Sequence, residues 1–317
     1  MFSRVTAFAL LGALACSEPP APPATGSAPA EPERAAAPAP AGPEDAGPIP
    51  EAWVNRRVSE ARGRLESSEA GTLIWQAIEA HGGLARWLQA GTLTFGFDYR
   101  PIGAPERRMH TRQHVDLWRA RAVHEELEGG AGDLARFGWD GERSWITPDA
   151  AAFPSPARFW SLTPYYFVGM PFVVADPGAQ YERLPGAELD GQPYDLVKIT
   201  YDPGTGDSPD DYYVLYLHPE SHELAALRYV VAYPGFFPEG GHTPEKIMRY
   251  TDLHEVDGLR FAGTLDTYAW DGEAATPGAK VTEITVDDIV MAEPIPADRF
   301  APPAGAVVSE AIEATPR

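Results

Sequence analysis

The sequence predicts a mainly β (α+β) protein: a large antiparallel meander preceded by helices. Three observations carry this. Apolar residues first recur at helical spacing and then, from Leu93 onward, at a period of two. Asp-Gly pairs beginning at 140, 190, 257 and 271 punctuate the second stretch as hairpin turns do. The strand candidates also follow one another almost without helices, whereas parallel neighbours need crossover segments of a dozen residues or more.

The elements follow in order. Met1 to Arg4 carries one positive charge, Val5–Ala15 is apolar, and Cys16 opens an abrupt switch to Ser-Glu-Pro-Pro. Residues 1–15 therefore read as a signal peptide, too short for the ~20 apolar residues of a membrane span. Gly12-Ala13-Leu14-Ala15-Cys16 resembles the lipobox of bacterial lipoproteins, which implies a diacylated Cys16 at the mature N-terminus. Ala13-x-Ala15 also suits an ordinary signal peptidase and predicts the same cut. Cys16 is the sole cysteine, and an unpaired thiol in an oxidising compartment favours acylation.

Residues 16–50 read as the lipidated cysteine and a disordered tether. After Cys16 the segment holds eleven prolines, ten alanines and no aromatic residue. It has too little apolar surface to offset its ordering entropy. At ~3.1 Å per residue it reaches roughly 100 Å. Residues 51–303 then form one β-rich domain, and 304–317 read as a flexible tail.

Within the domain, Trp53, Val54, Val58, Ala61 and Leu65 predict a helix over 51–66. Ser67-Ser68-Glu69 caps a second that stops at His81-Gly82-Gly83, with His81 facing the helix dipole as a cation. Leu84–Leu88 gives one more short turn. Leu93, Phe95, Phe97 and Tyr99 alternate with Thr94, Gly96 and Asp98, a strand with an aromatic face. Further strands are expected at 107–118, 120–127, 134–139, 144–147, 194–201, 211–218, 223–232, 246–253, 259–270 and 280–290. Residues 151–177 break the pattern with seven aromatics and no alternation. Pro156 suits the first turn of a short helix, and Pro164, Pro171 and Pro177 limit any regular element. So apolar an insert either plugs one end of the sheet or lids a cavity.

Several of these pieces occur together in one family. Ala80-His81-Gly82-Gly83 ends the helix, and Phe137-Gly138-Trp139-Asp140-Gly141, Tyr165-Tyr166-Phe167 and Pro171-Phe172 follow. Leu215-Tyr216-Leu217-His218-Pro219 and Tyr250-Thr251-Asp252-Leu253-His254-Glu255-Val256-Asp257-Gly258-Leu259 come next. Over roughly residues 70–302 this resembles a family of bacterial exported proteins and lipoproteins with the LolA/LolB-like lipoprotein-localisation fold. The resemblance implies an open, unclosed antiparallel β-barrel around helices, with an apolar concavity that takes acyl chains in characterised members. It assigns no catalytic residue. LolB-type function also needs a membrane-touching loop, for which Phe236 and Phe237 in Pro-Gly-Phe-Phe-Pro are the candidates. A buried loop anchor is the plainer reading of that pair.

Recognisable chemistry is sparse. Net charge is −21, which repels nucleic-acid phosphates, so no nucleic-acid partner is expected. The sequence has no Gly-x-Ser-x-Gly elbow, P-loop or dinucleotide fingerprint, so no catalytic residue and no cofactor are assigned. His218 and His222 share metal-ligand spacing, but only a helix would put both on one face, and Pro219 argues for a turn. Asp202, Asp207, Asp210 and Asp211 crowd a connection that does not match a calcium loop, and a solvated acidic hairpin is expected there.

The expected protein is a monomeric, non-catalytic lipoprotein, anchored to the outer membrane by its N-terminal lipid and facing the periplasm or cell surface. It would bind or carry an apolar ligand such as a lipid or acyl chain. Candidate cavity and lid residues are Phe95, Phe97, Trp139, Trp145, Phe159, Trp160, Tyr165, Tyr166, Phe167 and Phe172. The alternatives are a structural lipoprotein with a packed barrel docking a protein partner, and a hydrolase with a buried His–carboxylate pair.

Overall fold

The structure, a computed structural model, describes residues 49–128, 134–272 and 276–310. The expected signal peptide, Cys16 and all but residues 49 and 50 of the expected tether lie outside the described residues. Among the described residues four helices come first or in the middle: α1 (Glu51–Leu65), α2 (Glu69–Ala80), α3 (Leu84–Ala90) and α4 (Ala157–Val168). The strands are β1 (Thr92–Pro101), β2 (Met109–Asp116), β3 (Arg121–Glu128), β4 (Arg136–Trp139), β5 (Arg143–Thr147), β6 (Ala179–Leu189) and β7 (Gln192–Tyr201). They continue as β8 (Tyr213–Leu217), β9 (Leu224–Tyr229), β10 (Lys246–Val256), β11 (Leu259–Asp271), β12 (Thr276–Met291) and β13 (Val307–Glu310).

All thirteen strands form one antiparallel sheet in the order β13-β5-β4-β3-β2-β1-β12-β11-β10-β9-β8-β7-β6. The β1–β12 pairing, with Phe97 opposite Val286, joins the early and late hairpins into one surface. β13 and β6 do not pair with each other, so the sheet stays open, as the LolA/LolB-like resemblance implies. Its inner face meets the helices in one core that includes Leu93, Phe95 and Phe97 of β1, Met248 of β10, Phe261 of β11 and Ile74 and Ile78 of α2.

Local chemistry explains the helix ends. The Ser68 hydroxyl accepts the Gly71 N–H at 3.0 Å, capping α2. At its other end Gly83 donates to Ile78 O at 3.0 Å, with Gly82 and Gly83 both at positive φ. Gly82 has a second reason to be glycine, since a Cβ there would stand 2.1 Å from Gly258 O in the β10–β11 turn. His81 is not the expected cation. It is buried, its Nδ1 lies 2.8 Å from Ala77 O, and desolvation lowers its pKa.

Three other expectations change, and the either–or of residues 151–177 takes a definite form. β6 was not anticipated, because this edge strand is mostly exposed and interrupted at Pro185-Gly186, where its register with β7 shifts. The expected tail contains β13, which pairs with β5 and places Val308 opposite Trp145; residues 311–317 lie outside the described residues. Pro164 sits inside α4 rather than ending it. Residues 151–177 form interior structure: Phe153, Trp160, Tyr165, Phe167 and Phe172 are all buried in the main core.

Candidate functional site

The site is built around α4, whose two faces meet different surroundings. Trp160 and Ser161 point toward the β1–β5 side. The Trp160 ring lies 6.1 Å from Phe97 and 5.3 Å from Tyr99, both edge-on. Ser161 O lies 2.8 Å from Nε2 of His124, whose ring stacks on Phe137 at 4.5 Å. Full burial holds His124 neutral and pulls its pKa down to about 3.

Phe159, Leu162, Thr163 and Tyr166 form the other stripe, at the i, i+3, i+4, i+7 spacing of one helix face. They line a cavity of about 400 Å³. Opposite stand Tyr201 from β7, Tyr213 from β8 and Val231 and Tyr233 from the segment after β9, with Val173 and Ala179 beyond them. This volume falls in the lower part of the ~300–1,000 Å³ range of small-molecule sites. Desolvation raises the pKa of Tyr166, Tyr201 and Tyr213, so their hydroxyls stay protonated near neutral pH. The Tyr166 and Tyr201 hydroxyls bond to each other.

Polar groups gather at one side. Arg158 meets Asp207 in a two-point ion pair, Nε to Oδ2 at 2.7 Å and Nη2 to Oδ1 at 2.9 Å. The same guanidinium lies 3.5 Å from the centre of the Trp139 ring. Asp211 Oδ1 accepts the Ala232 N–H at 2.6 Å. Desolvation pushes the Asp211 carboxyl up to about 7, against the opposing hydrogen bonds from Ala232 and Tyr213. Asp176 also lines the cavity and pairs with Arg57 of α1 at 2.9 Å.

The sequence-predicted residues divide accordingly. Phe159, Tyr165, Tyr166 and Phe167 line the cavity. Phe95, Phe97, Trp160 and Phe172 fill the interior, Phe172 stacking on Trp87 at 4.7 Å. Trp139 is buried beneath Arg158 and does not reach the cavity wall. Trp145 occupies the opposite face of the sheet. The hairpin register sets it across from Gly138, one position out of phase with Phe137 and Trp139, and its Nε1 donates to Phe300 O at 2.8 Å.

Phe236 is 43% exposed, yet its ring rests 4.9 Å from Phe159 and 5.3 Å from Tyr233, so it stands at the cavity rim. Phe237 beside it is half-buried.

Sequence reasoning missed Arg158, Asp207, Asp211, Tyr201, Tyr213 and Tyr233. The acidic connection 202–211 is not simply a solvated hairpin, because Asp207 and Asp211 turn inward to the cavity. Tyr201 and Tyr213 lay in correctly placed strands, but only the fold reveals that they face α4. Among the described residues no group of three or more His, Cys, Asp or Glu side chains is arranged to hold a metal ion. His218 and His222 sit in a tight turn, with His222 N donating to His218 O at 2.8 Å. The buried His81 and His124 bond to carbonyl oxygens, and neither lines the cavity.

No family model matches the sequence, and no curated protein matches it. Several solved structures are similar in fold. A LolA superfamily protein from Nitrosomonas europaea is 12% identical, with 73% of this chain and 97% of that one covered and a TM-score of 0.48. A DUF1329 family protein from Desulfovibrio piger is 8% identical, with 71% and 96% covered and a TM-score of 0.45. Lipoprotein LppX from Mycobacterium tuberculosis is 10% identical, with 73% and 100% covered and a TM-score of 0.27. The cavity stands on its own geometry.

Proposed function

We propose that the protein is an exported lipoprotein that binds or carries an apolar ligand in the cavity beside α4, without catalysis. The lipid on Cys16 would hold it at the outer membrane, and residues 17–50 would let the domain range into the periplasm. The observation that carries this reading is the cavity of about 400 Å³, walled by Phe159, Leu162, Tyr166, Tyr201, Tyr213 and Tyr233. Each CH₂ transferred from water into such walls contributes about 0.8 kcal/mol. The volume suits one chain or a compact amphiphile.

The test is ligand recovery. Delipidated mature protein is exposed to membrane extract, re-purified and analysed by native mass spectrometry. One apolar species should return with the wild type and be lost from Leu162→Trp, whose larger side chain fills the cavity. A wild type that returns empty overturns the carrier reading. The same spectra report the N-terminus, where a diacylated Cys16 is expected and a free thiol would overturn the anchor.

The filled interior on the β1–β5 side, with Phe95, Phe97 and Phe137 fully buried, favours a second reading. In it the barrel is a scaffold whose outer surface docks a protein. A stoichiometric co-purifying protein together with an empty cavity would select it.

A further inference from the structure

The charged groups around the cavity bear on the kind of head group it accepts. Four charged side chains line it: Arg158, Asp176, Asp207 and Asp211. The single cation among them is held by both Asp207 oxygens while it covers Trp139. Releasing it to a ligand anion would leave the Asp207 carboxylate, only one-fifth exposed, without its partner. Asp176 has its own partner in Arg57.

Asp211 differs from both. Among the described residues no arginine or lysine pairs with it; it accepts from the Ala232 N–H and the Tyr213 hydroxyl, with Asp210 and the exposed His242 as its charged or titratable neighbours. It is therefore an acceptor with capacity for one more donor, set at the edge of an aromatic chamber.

An anionic head group would meet the acids Asp176, Asp207 and Asp211 and no lining arginine or lysine free of a carboxylate. It would also approach a protein of net charge −21. A hydroxyl or ammonium head could donate to Asp211, and the faces of Tyr201, Tyr213 and Tyr233 attract positive charge.

We infer that the cavity selects amphiphiles whose head group donates hydrogen bonds and carries no negative charge, with Asp211 as the residue that receives it. This rests on the carrier reading above, and the experiment separates the two. Decanol, decylamine, methyl decanoate and decanoate are compared at pH 8.5, where Asp211 is ionised and decylamine still carries its charge, for displacement of the fluorescent apolar probe N-phenyl-1-naphthylamine from the intact mature protein.

Decylamine and decanol should displace at concentrations at least about ten-fold lower than decanoate. Methyl decanoate, which lacks both the charge and the donor, should fall between them. Asp211→Asn should weaken decylamine and strengthen decanoate. Because the wild-type ranking is itself decisive, a poorly folding variant leaves the test intact. Decanoate binding as tightly as decanol or decylamine overturns the head-group inference while the carrier reading stands. Failure of the probe and all four amphiphiles to bind overturns both.

Discussion

The two faces of α4 are both apolar and aromatic, yet one is packed solid and the other borders a cavity. On the β1–β5 side Trp160 meets Phe97, Tyr99 and Phe153, and the sheet's inner face supplies matching bulk. On the β7–β9 side Phe159 and Tyr166 pack on Tyr233 and Tyr213, with ring centres 5.0 and 5.4 Å apart, yet together with Leu162 and Tyr201 these rings leave a cavity between them. Hydrophobic character does not separate core from binding surface here. What separates them is whether the opposing strand fills the space, a property of register and backbone curvature.

The largest test of that difference is truncation on each face. Trp160→Ala should cost about 3–5 kcal/mol, because it opens a void in a packed core. Tyr166→Ala should cost about 1–2 kcal/mol, since its ring already borders empty space. Urea midpoints at unchanged m-values report both numbers. Equal losses would show that the cavity wall is as tightly packed as the core. Among the described residues Trp160 Nε1 has no hydrogen-bond partner, so Trp160→Phe should lose much less than the alanine variant.

The two sides should also respond oppositely to pH. His124 on the packed side has its pKa held down at about 3, against 6.5 when unfolded. The unfolded chain binds the proton first, so the stability His124 contributes is intact above 6.5 and is lost as pH falls toward 3. Asp211 on the cavity side is raised to about 7 from 3.8. Its folded form holds the proton longer, so its contribution is intact below 3.8 and is lost as pH rises through 7. Between about 4 and 6.5 the two slopes oppose each other, each at most about 1.4 kcal/mol per pH unit. The Asp211 slope should be the shallower, because that carboxyl is only partly buried.

Single variants uncover each slope. Relative to wild type, His124→Phe should lose stability as pH rises across this window, and Asp211→Asn should lose it as pH falls. Denaturation midpoints at several pH values measure both. Parallel curves for variant and wild type would remove that residue from the pH response.

What the sequence made legible follows the same division. Period-two alternation and the Asp-Gly turns located eleven of the thirteen strands. The exceptions, β6 and β13, are edges: β6 is mostly exposed, and β13 is four residues long. The composition of 151–177 flagged α4 as unusual, and four of its neighbourhood's aromatics do line the cavity. Its counterpart wall was illegible. Tyr201 and Tyr213 look like any strand tyrosines until the sheet curls them toward α4. Asp207 and Asp211 look like turn acids until Arg158 and Ala232 N–H draw them inward. Trp145 shows the limit of alternation across a hairpin, where the pairing register assigned it to the outer face.

The smallest expected stability effect concerns the rim, where the two regimes meet solvent. Phe236 packs on Phe159 and Tyr233 but remains 43% exposed, so it holds part of the cavity's edge without being core. Fully burying a phenylalanine is worth about 1.5–3 kcal/mol, so Phe236→Ala should cost about 1 kcal/mol or less. Its effect on exchange should be larger in proportion, because removing the ring uncovers Phe159 at the cavity edge. Stopped-flow release of N-phenyl-1-naphthylamine should then quicken several-fold while the thermal midpoint moves by a few degrees. Unchanged release would make the ring a surface anchor. A variant that instead loses association with lipid vesicles, at unchanged release, would return Phe236 to the membrane-touching role its sequence suggested.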